Sequence, residues 1–495
     1  MGAERGRRQT LQILPWVIIL GLAGVVVYVG VLSLPWPLIH DAPIMHYIAW
    51  RIDEGAVPYR DLFDMNFPGV YLVHLAVLRL LGTSDAAWRL FDLAWMGLTS
   101  LAVAELAFPW GGLAATGAAL FFAAYHVGGG AWQAGQRDFL LCPFLVLAAL
   151  GVARWGERRN WVMLGIGGLA IGAAGTIKPH VMIFGLMLVL LLLLAPEQPR
   201  GARWTAVVLL AVSAAAVPLG MIGWLAAIGA LEPWRMIVVD YLVPFYARVG
   251  RPAAWTVYRW SLWPAIAVVV VVSIANAAAW RRLTFRHVVV LGGVAYGLLH
   301  YVGQGKGWEY HLYPLAAFAG VLLLSEVAPA LRTRPLLVGA PLLAGLGVLV
   351  ALLADTGAHT ATADWIWDKE RTVRLLTADL QQRVRPGDTV QVLDTTDGGV
   401  HALLRLGVVE PTRFIYDFHF FHDTERPAIR ALRAEFMSAL DLRPPRYIVV
   451  MRRSWPTGGY ERLESFPELT ARLAGRYTVD VDRPYYRIYA QRDPS

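Results

Sequence analysis

Pro35-Trp36-Pro37-Leu38-Ile39-His40-Asp41-Ala42-Pro43-Ile44 ends the first long apolar run of the chain, residues 11–34, and sets a carboxylate directly behind it. That run is long enough to cross a hydrocarbon core, which takes about 20 apolar residues. A basic stretch, residues 1–10, precedes it, and no small-residue cleavage site follows. The sequence therefore reads as an uncleaved first helix with a cytoplasmic N-terminus rather than as a signal peptide. Onward from Asp41, apolar spans recur as far as Leu353, and the loops between them alternate in character. One set is short and arginine-rich: Arg154, Arg158 and Arg159; Arg200 and Arg203; Arg281, Arg282 and Arg286; Arg332 and Arg334. The other set carries Asp41, Asp61, Asp64, Asp138, Lys178, Asp240, Lys306, Glu309 and His311. Arginines beside membrane crossings mark the cytoplasmic side, so the second set is expected to gather on the far side.

Composition agrees with a membrane solvent: of 495 residues 57% are hydrophobic and 16% charged, and the mean hydropathy is +0.49. The formal charge of +8 sits at the ends of apolar spans, which points to topology and anionic lipid rather than to nucleic acid. Cys142 is the only cysteine, so no disulfide forms within the chain and no cysteine cluster holds a metal. Lysine occurs only as Lys178, Lys306 and Lys369, and the two in the membrane half fall where helices end on the far side.

About eleven crossings are expected, over residues 13–33, 87–107, 111–127, 138–155, 160–177, 179–195, 204–229, 261–280, 287–302, 312–329 and 335–354. The tight pair around Lys178 decides the parity, and reading it as one broken helix would put later arginines on the wrong side. Residues 35–86 form a long external segment. Within it, 40–55 reads as an interfacial helix with Asp41 at the N-cap, Pro43 in the first turn, Ile44, Ile48 and Ile52 on one face, and Gly55 as terminator. A turn-rich loop, 58–69, leads to a second short apolar helix at 70–81. The membrane unit spans residues 1–354, and 355–495 reads as a soluble α/β domain on the external side. Its expected strands are 389–393, 413–416, 447–451, 477–481 and 485–490, the last two a hairpin; helices are expected at 400–406, 428–440 and 467–473. Thr395-Thr396-Asp397-Gly398-Gly399 is either a phosphate cradle or an ordinary strand-to-helix turn.

Charged groups at membrane depth are costly and tend to be functional. Asp41 is the first candidate, as a base placed by the start of the interfacial helix; the alternative is a plain cap. Asp138, after a glycine-rich run at 128–130, is a second carboxylate or a partner of Arg137. Lys178, in Thr176-Ile177-Lys178-Pro179-His180, is a phosphate ligand or a snorkelling lysine. Lys306 belongs to Gln304-Gly305-Lys306-Gly307-Trp308-Glu309-Tyr310-His311, which combines a cation, aromatic surface and a histidine as a phosphate on an apolar tail would require. Histidine spacing signals no metal site; a divalent cation shared by Asp41 and Asp138 is the one arrangement left open. Nothing in the segment around Asp240, Arg248 and Arg251 goes beyond a solvated loop.

These features together resemble the bacterial glycosyltransferase family 39 and its relatives, membrane enzymes of the GT-C fold that include protein O-mannosyltransferases and lipid A aminoarabinose transferases. The resemblance rests on His40-Asp41 after the first helix, Pro58-Tyr59-Arg60-Asp61 running to Asn66-Phe67-Pro68-Gly69, and Gly82 with Trp88-Arg89-Leu90. Arg137-Asp138-Phe139, the turn from Gly172 to Lys178, and Gln304-Gly305-Lys306 leading to Tyr310-His311 complete it. It implies an inverting transferase that moves a sugar from a polyprenyl-phosphate donor to a hydroxyl of a glycan, lipid or protein, outside the cytoplasm of a bacterial inner membrane. No nucleotide and no obligatory metal is implied. The family's proposed base falls on Asp41, and Arg60, Lys178, Lys306, Tyr310 and His311 are candidates for the donor phosphate. Many relatives carry a second acidic residue beside the first; here His40 and Ala42 flank Asp41, leaving Asp138 as the candidate second carboxylate. A polymerase or ligase of undecaprenyl-diphosphate glycans and a lipid or solute transporter are the rival readings.

Overall fold

The computed structural model describes residues 2–195, 197–248, 250, 271, 283–455 and 458–492. Its helices run α1 (Gly2–Leu32), α2 (Asp41–Asp53), α3 (Pro68–Leu81), α4 (Asp85–Ala107), α5 (Gly112–Gly128), α6 (Arg137–Arg158), α7 (Trp161–Ile177), α8 (Met182–Leu194), α9 (Arg200–Ala227) and α10 (Leu231–Met236). After α10 come α11 (Phe285–Gln304), α12 (Tyr313–Ser325), α13 (Val327–Thr333), α14 (Ala340–Ala361) and α15 (Asp364–Gln381). Every expected crossing coincides with a described helix except 261–280, which but for residue 271 lies outside the described residues, as do Arg251, Arg281 and Arg282. Seven of the described helices are long and apolar enough to cross a membrane; α5, α7 and α8 belong to a shorter apolar group.

Burial sorts these helices into layers. The membrane spans of α6 and α12 are buried over most of their length, whereas α9 exposes nearly all of its span, including Val208, Val212 and Leu219. Without a hydrophobic driving force between helices, membrane bundles pack through small residues, and α7 does so on two faces. A Cβ on Gly167 would lie 3.2 Å from the Ala148 carbonyl oxygen of α6, and one on Gly168 would lie 2.8 Å from the Leu210 oxygen of α9. Held between those helices, α7 ends at Ile177, and Lys178 leaves it in extended conformation before the short turn Pro179–Val181. Gly185 of α8 then faces Ile171 of α7, a Cβ there lying 3.3 Å from Ile171 Cγ2. Residues 171 and 185 flank Lys178 evenly, so the pair is an antiparallel hairpin rather than one broken helix.

The interfacial segment begins differently from its expectation. Asp41 is the first helical residue, and the cap position belongs to His40, at φ 55° and ψ −116° with no side-chain capping bond. A β-carbon in that region is strained, and the kink turns Asp41 away from capping duty. At the other end of the bundle α14 runs on past 354 to Ala361 and delivers the chain to the C-terminal domain through α15.

That domain carries β1 (Val390–Leu393), α16 (Gly399–Leu406), α17 (Pro427–Leu442), β2 (Tyr447–Met451), α18 (Pro467–Arg476), β3 (Tyr477–Asp482) and β4 (Tyr486–Gln491). The sheet order is β1-β2-β4-β3, with β1 parallel to β2 and the other pairs antiparallel. The strand expected at 413–416 does not form. Its backbone is used elsewhere: Phe63 N–H donates to Arg413 O at 2.7 Å and Gln391 Nε2 donates to Phe414 O at 2.9 Å, which ties the domain to the 58–69 loop. The domain is further docked by Tyr47 Oη donating to Val408 O at 3.2 Å and by His401 on Asp85 at 2.9 Å. The Thr395–Gly399 segment is the ordinary turn, because the Asp394 carboxylate takes the N–H groups of Asp397, Gly398 and Gly399 at 2.7, 3.0 and 2.7 Å. A carboxylate already fills the position a phosphate would need.

Candidate active site

Two adjoining chambers share part of their walls, and the first lies against the C-terminal domain. The first, about 240 Å³, brings together Asp41, Arg137, Tyr246, Trp308 and Tyr310, with Thr395 and Thr396 of the domain above. The second, about 440 Å³, holds Lys178, His180, Lys306 and His311 against an apolar side made by Val238, Leu242 and Val243. Arg137, Tyr246 and Trp308 line both, so the guanidinium stands between the carboxylate and the cations. Among the described residues, the chambers are lined by one carboxylate and three permanent or lysine cations, a surplus suited to an anion.

Asp41 keeps about a third of its side chain exposed, and its ion-pair partner is Arg137, whose Nη2 donates at 3.5 Å. A long bond of this kind orients the carboxylate without saturating it. Asp138 stands in the opposite situation. It is fully buried at the start of α6 and accepts two bonds from Lys178 Nζ, at 2.9 and 2.7 Å. His300 Nε2 of α11 lies 2.5 Å from Oδ1, the oxygen that also takes the longer lysine bond, and Lys178 donates a further bond to Gln304 Oε1 at 3.1 Å. Asp138 thus gathers α6, α11 and the Lys178 turn around one charge and presents no open position to solvent. The divalent cation shared with Asp41 gains nothing from this arrangement, and no group of three or more metal-ligating side chains assembles among the described residues.

The lysines are tuned by burial. Burial pushes Lys178 down to about 8 against the opposing pull of Asp138. Lys306 is pushed down to about 7, first by burial and then by Arg137 and Lys178. Its ammonium lies 3.5 Å from the Tyr246 ring centre and 5.2 Å from that of Trp308. It makes no salt bridge among the described residues, so aromatic faces are its stabilising contacts.

Of the remaining expected residues, Tyr310 lines the first chamber and His311 the second. Arg60 joins neither: it is exposed and forked on Asp61 at 2.8 Å, fastening its own loop. Asp240 is likewise exposed and outside both. Asp64 is buried and caps Asn66 at 2.6 and 2.7 Å, its carboxyl raised to about 6 by burial; it shapes the loop whose Asn66 lines both chambers. Sequence reasoning passed over Tyr246, which sits in the loop dismissed as solvated, and gave Arg137 to Asp138 or lipid. The proximity of an arginine to a candidate carboxylate was visible; which carboxylate it served was not.

No family model matches the sequence, and no curated protein is significantly similar to it. Solved structures are. ArnT from Cupriavidus metallidurans in its apo state aligns over 96% of this chain and 97% of its own, with a TM-score of 0.60 at 13% identity. The same protein bound to undecaprenyl phosphate aligns over 96% and 98%, with a TM-score of 0.58 at 12% identity. The archaeal oligosaccharyltransferase AglB from Archaeoglobus fulgidus, in complex with an inhibitory peptide and a dolichol-phosphate, aligns over 95% of this chain and 74% of its own, with a TM-score of 0.50 at 14% identity. The fold is GT-C. The likeness to ArnT covers helical bundle and C-terminal domain alike.

Proposed function

We propose that the chain is an inverting membrane glycosyltransferase that moves a sugar from a polyprenyl-phosphate donor to an acceptor hydroxyl. The observation that carries this reading is the pairing of chambers: a half-exposed carboxylate in one, lysine and histidine beside an apolar wall in the other, and Arg137 between. The second chamber suits a phosphodiester on an apolar chain, with Lys306, Lys178 and His311 around the charge and Val238, Leu242 and Val243 along the tail. ArnT bound to undecaprenyl phosphate and AglB with a dolichol-phosphate support that donor class.

In the reaction an acceptor oxygen attacks the anomeric carbon as the bond from that carbon to the phosphate oxygen breaks. The bonding pair leaves with the phosphate, and Arg137 and Lys306 meet the growing charge. Asp41 takes the acceptor proton. Asp138 is a positioning residue that holds Lys178 at the chamber mouth, and Arg60 has no part. In this reading the sides follow from the arginine clusters: α6 opens with Arg137, which is paired with Asp41, and Asp138, and closes with Arg154 and Arg158, while α11 carries Arg286 in its first turn and leads to Lys306. Arginine ends face the cytoplasm, which puts the chambers and the external domain outside, on a bacterial inner membrane. The acceptor is a glycan, lipid or protein hydroxyl, and no metal has a role in these steps.

Purified protein incubated with a radiolabelled panel of polyprenyl-phosphate sugars is expected to release sugar. Asp41→Asn should bind donor but turn over at least about 100-fold more slowly, as loss of a general base implies. Full turnover by the variant would remove the base role. Activity confined to diphosphate-linked glycans would move the reading to a polymerase or ligase, and uptake without sugar release would make it a transporter.

A further inference from the structure

A third chamber, about 660 Å³, adjoins the Asp41 chamber, with which it shares His40 and Trp132. We infer that it is a binding site for the glycan of the acceptor, an inference that rests on the transferase reading and names part of its second substrate. Its walls include Trp132 and Gln133 from the loop after α5, Glu309 before α12, Thr356 and Thr360 of α14, and Trp365 of α15. The volume lies within the range of small-molecule sites, roughly 300–1,000 Å³.

The lining selects the ligand class. No lysine or arginine lines this chamber among the described residues, and Glu309 does, so an anion is disfavoured on Coulombic grounds. A lipid tail is disfavoured as well, because it would leave the amide of Gln133 without water or partner. Gln133 is only 2% exposed, and its Oε1 has no hydrogen-bond partner, while its Nε2 lies 3.4 Å from Glu309 Oε2. An acceptor atom buried in a cavity wall calls for a ligand donor, which a sugar hydroxyl supplies. Trp132 and Trp365 supply flat apolar faces for the C–H side of a pyranose ring. Between them stands His40, with ring centres 5.8 and 5.7 Å away. Thr360 Oγ1 donates to Gly128 O at 2.9 Å and pins the glycine loop to α14, which fixes one wall.

Position argues for acceptor rather than donor. His40 and Trp132 also line the Asp41 chamber, whereas Lys306 lines neither of these two chambers, so a glycan seated here adjoins the carboxylate without occupying the lysine-lined space.

The test is saturation-transfer NMR on the full chain in nanodiscs, with uncharged disaccharides (maltose, cellobiose and chitobiose) at millimolar concentration. At least one is expected to receive saturation from wild type and from Asp41→Asn. Trp365 is partly exposed on α15, so Trp365→Ala should fold, and it should weaken binding roughly tenfold, the worth of one stacking face. Gln133→Leu should weaken binding too, and Trp204→Ala, on the lipid side of α9, should not. No signal from any disaccharide, or a signal indifferent to Trp365→Ala and Gln133→Leu, overturns the site. Sugar release that depends on Asp41 in that circumstance would leave the transferase reading standing alone. Disaccharide binding that is lost in Trp365→Ala, in a protein without donor turnover, would keep the site and remove the transferase.

Discussion

Asp138→Asn is the perturbation that separates a positioning carboxylate from a catalytic one. The change preserves shape and removes the charge that Lys178 and His300 share. Side-chain exposure is 0% for Asp138 and 9% for Lys178, so this is a buried pair, and removing one partner of such a pair costs about 3–5 kcal/mol. The lower end applies, about 3 kcal/mol, because burial already holds Lys178 down at about 8 and the orphaned amine can shed its proton instead of staying charged. The double variant Asp138→Asn/Lys178→Met leaves no lone charge and should regain much of the loss, giving a coupling energy of about 1–3 kcal/mol in the cycle. Unfolding in mild detergent titrated with SDS at pH 7, followed by tryptophan fluorescence, reads Asp138→Asn, Lys178→Met, the double variant and wild type. Donor affinity, read by displacement of labelled polyprenyl phosphate, should fall in Asp138→Asn and recover in part as pH is lowered and Lys178 regains its proton. Simple additivity of the single variants would refute the pair as the organiser of this corner. So would a fully stable Asp138→Asn that loses only turnover, because that is the behaviour of a catalytic group.

Two further outcomes follow from the geometry. The free-site ammonium of Lys306 is held down to about 7 by burial, with Arg137 and Lys178 adding to it. Its protonated form is the one that attracts phosphate, and a phosphodiester keeps its single charge throughout. Donor affinity should therefore be full below that value and weaken as pH rises through it, and Lys306→Arg should flatten the profile; an unchanged profile would remove Lys306 from the donor site. Gly69 opens α3 against the end of α7, where a Cβ would lie 2.8 Å from the Thr176 carbonyl oxygen. Gly69→Ala should destabilise by about 1–3 kcal/mol through overpacking, measured in the same titration, and should lower donor affinity by shifting the Lys178 turn.

Most of the fold was legible because its signals are local. Span length, arginine-rich ends and the 40–55 helix are each written in consecutive residues, and the structure carries them. The exceptions have long-range causes. Residues 413–416 have strand propensity, but Phe63 and the Gln391 side chain claim their backbone groups. Asp41 looked like a cap, but the positive φ of His40 moves the cap position back by one residue. Tyr246 lies in a loop whose composition is that of any solvated segment, and only its fold-back over Lys306 brings it to the site.

The sequence by itself determined the solvent and the inventory: apolar runs of crossing length, arginines on alternate loops, and the polar residues left on the others. These follow from transfer free energies that act residue by residue. Only the tertiary structure decided which carboxylate is neutralised and which is left half open. Asp138 is silenced by Lys178, 40 positions away, and His300, 162 away, whereas Asp41 meets a single distant guanidinium. Charge pairing depends on distance in space, and in a bundle that distance is set by which small residues let which helices close together.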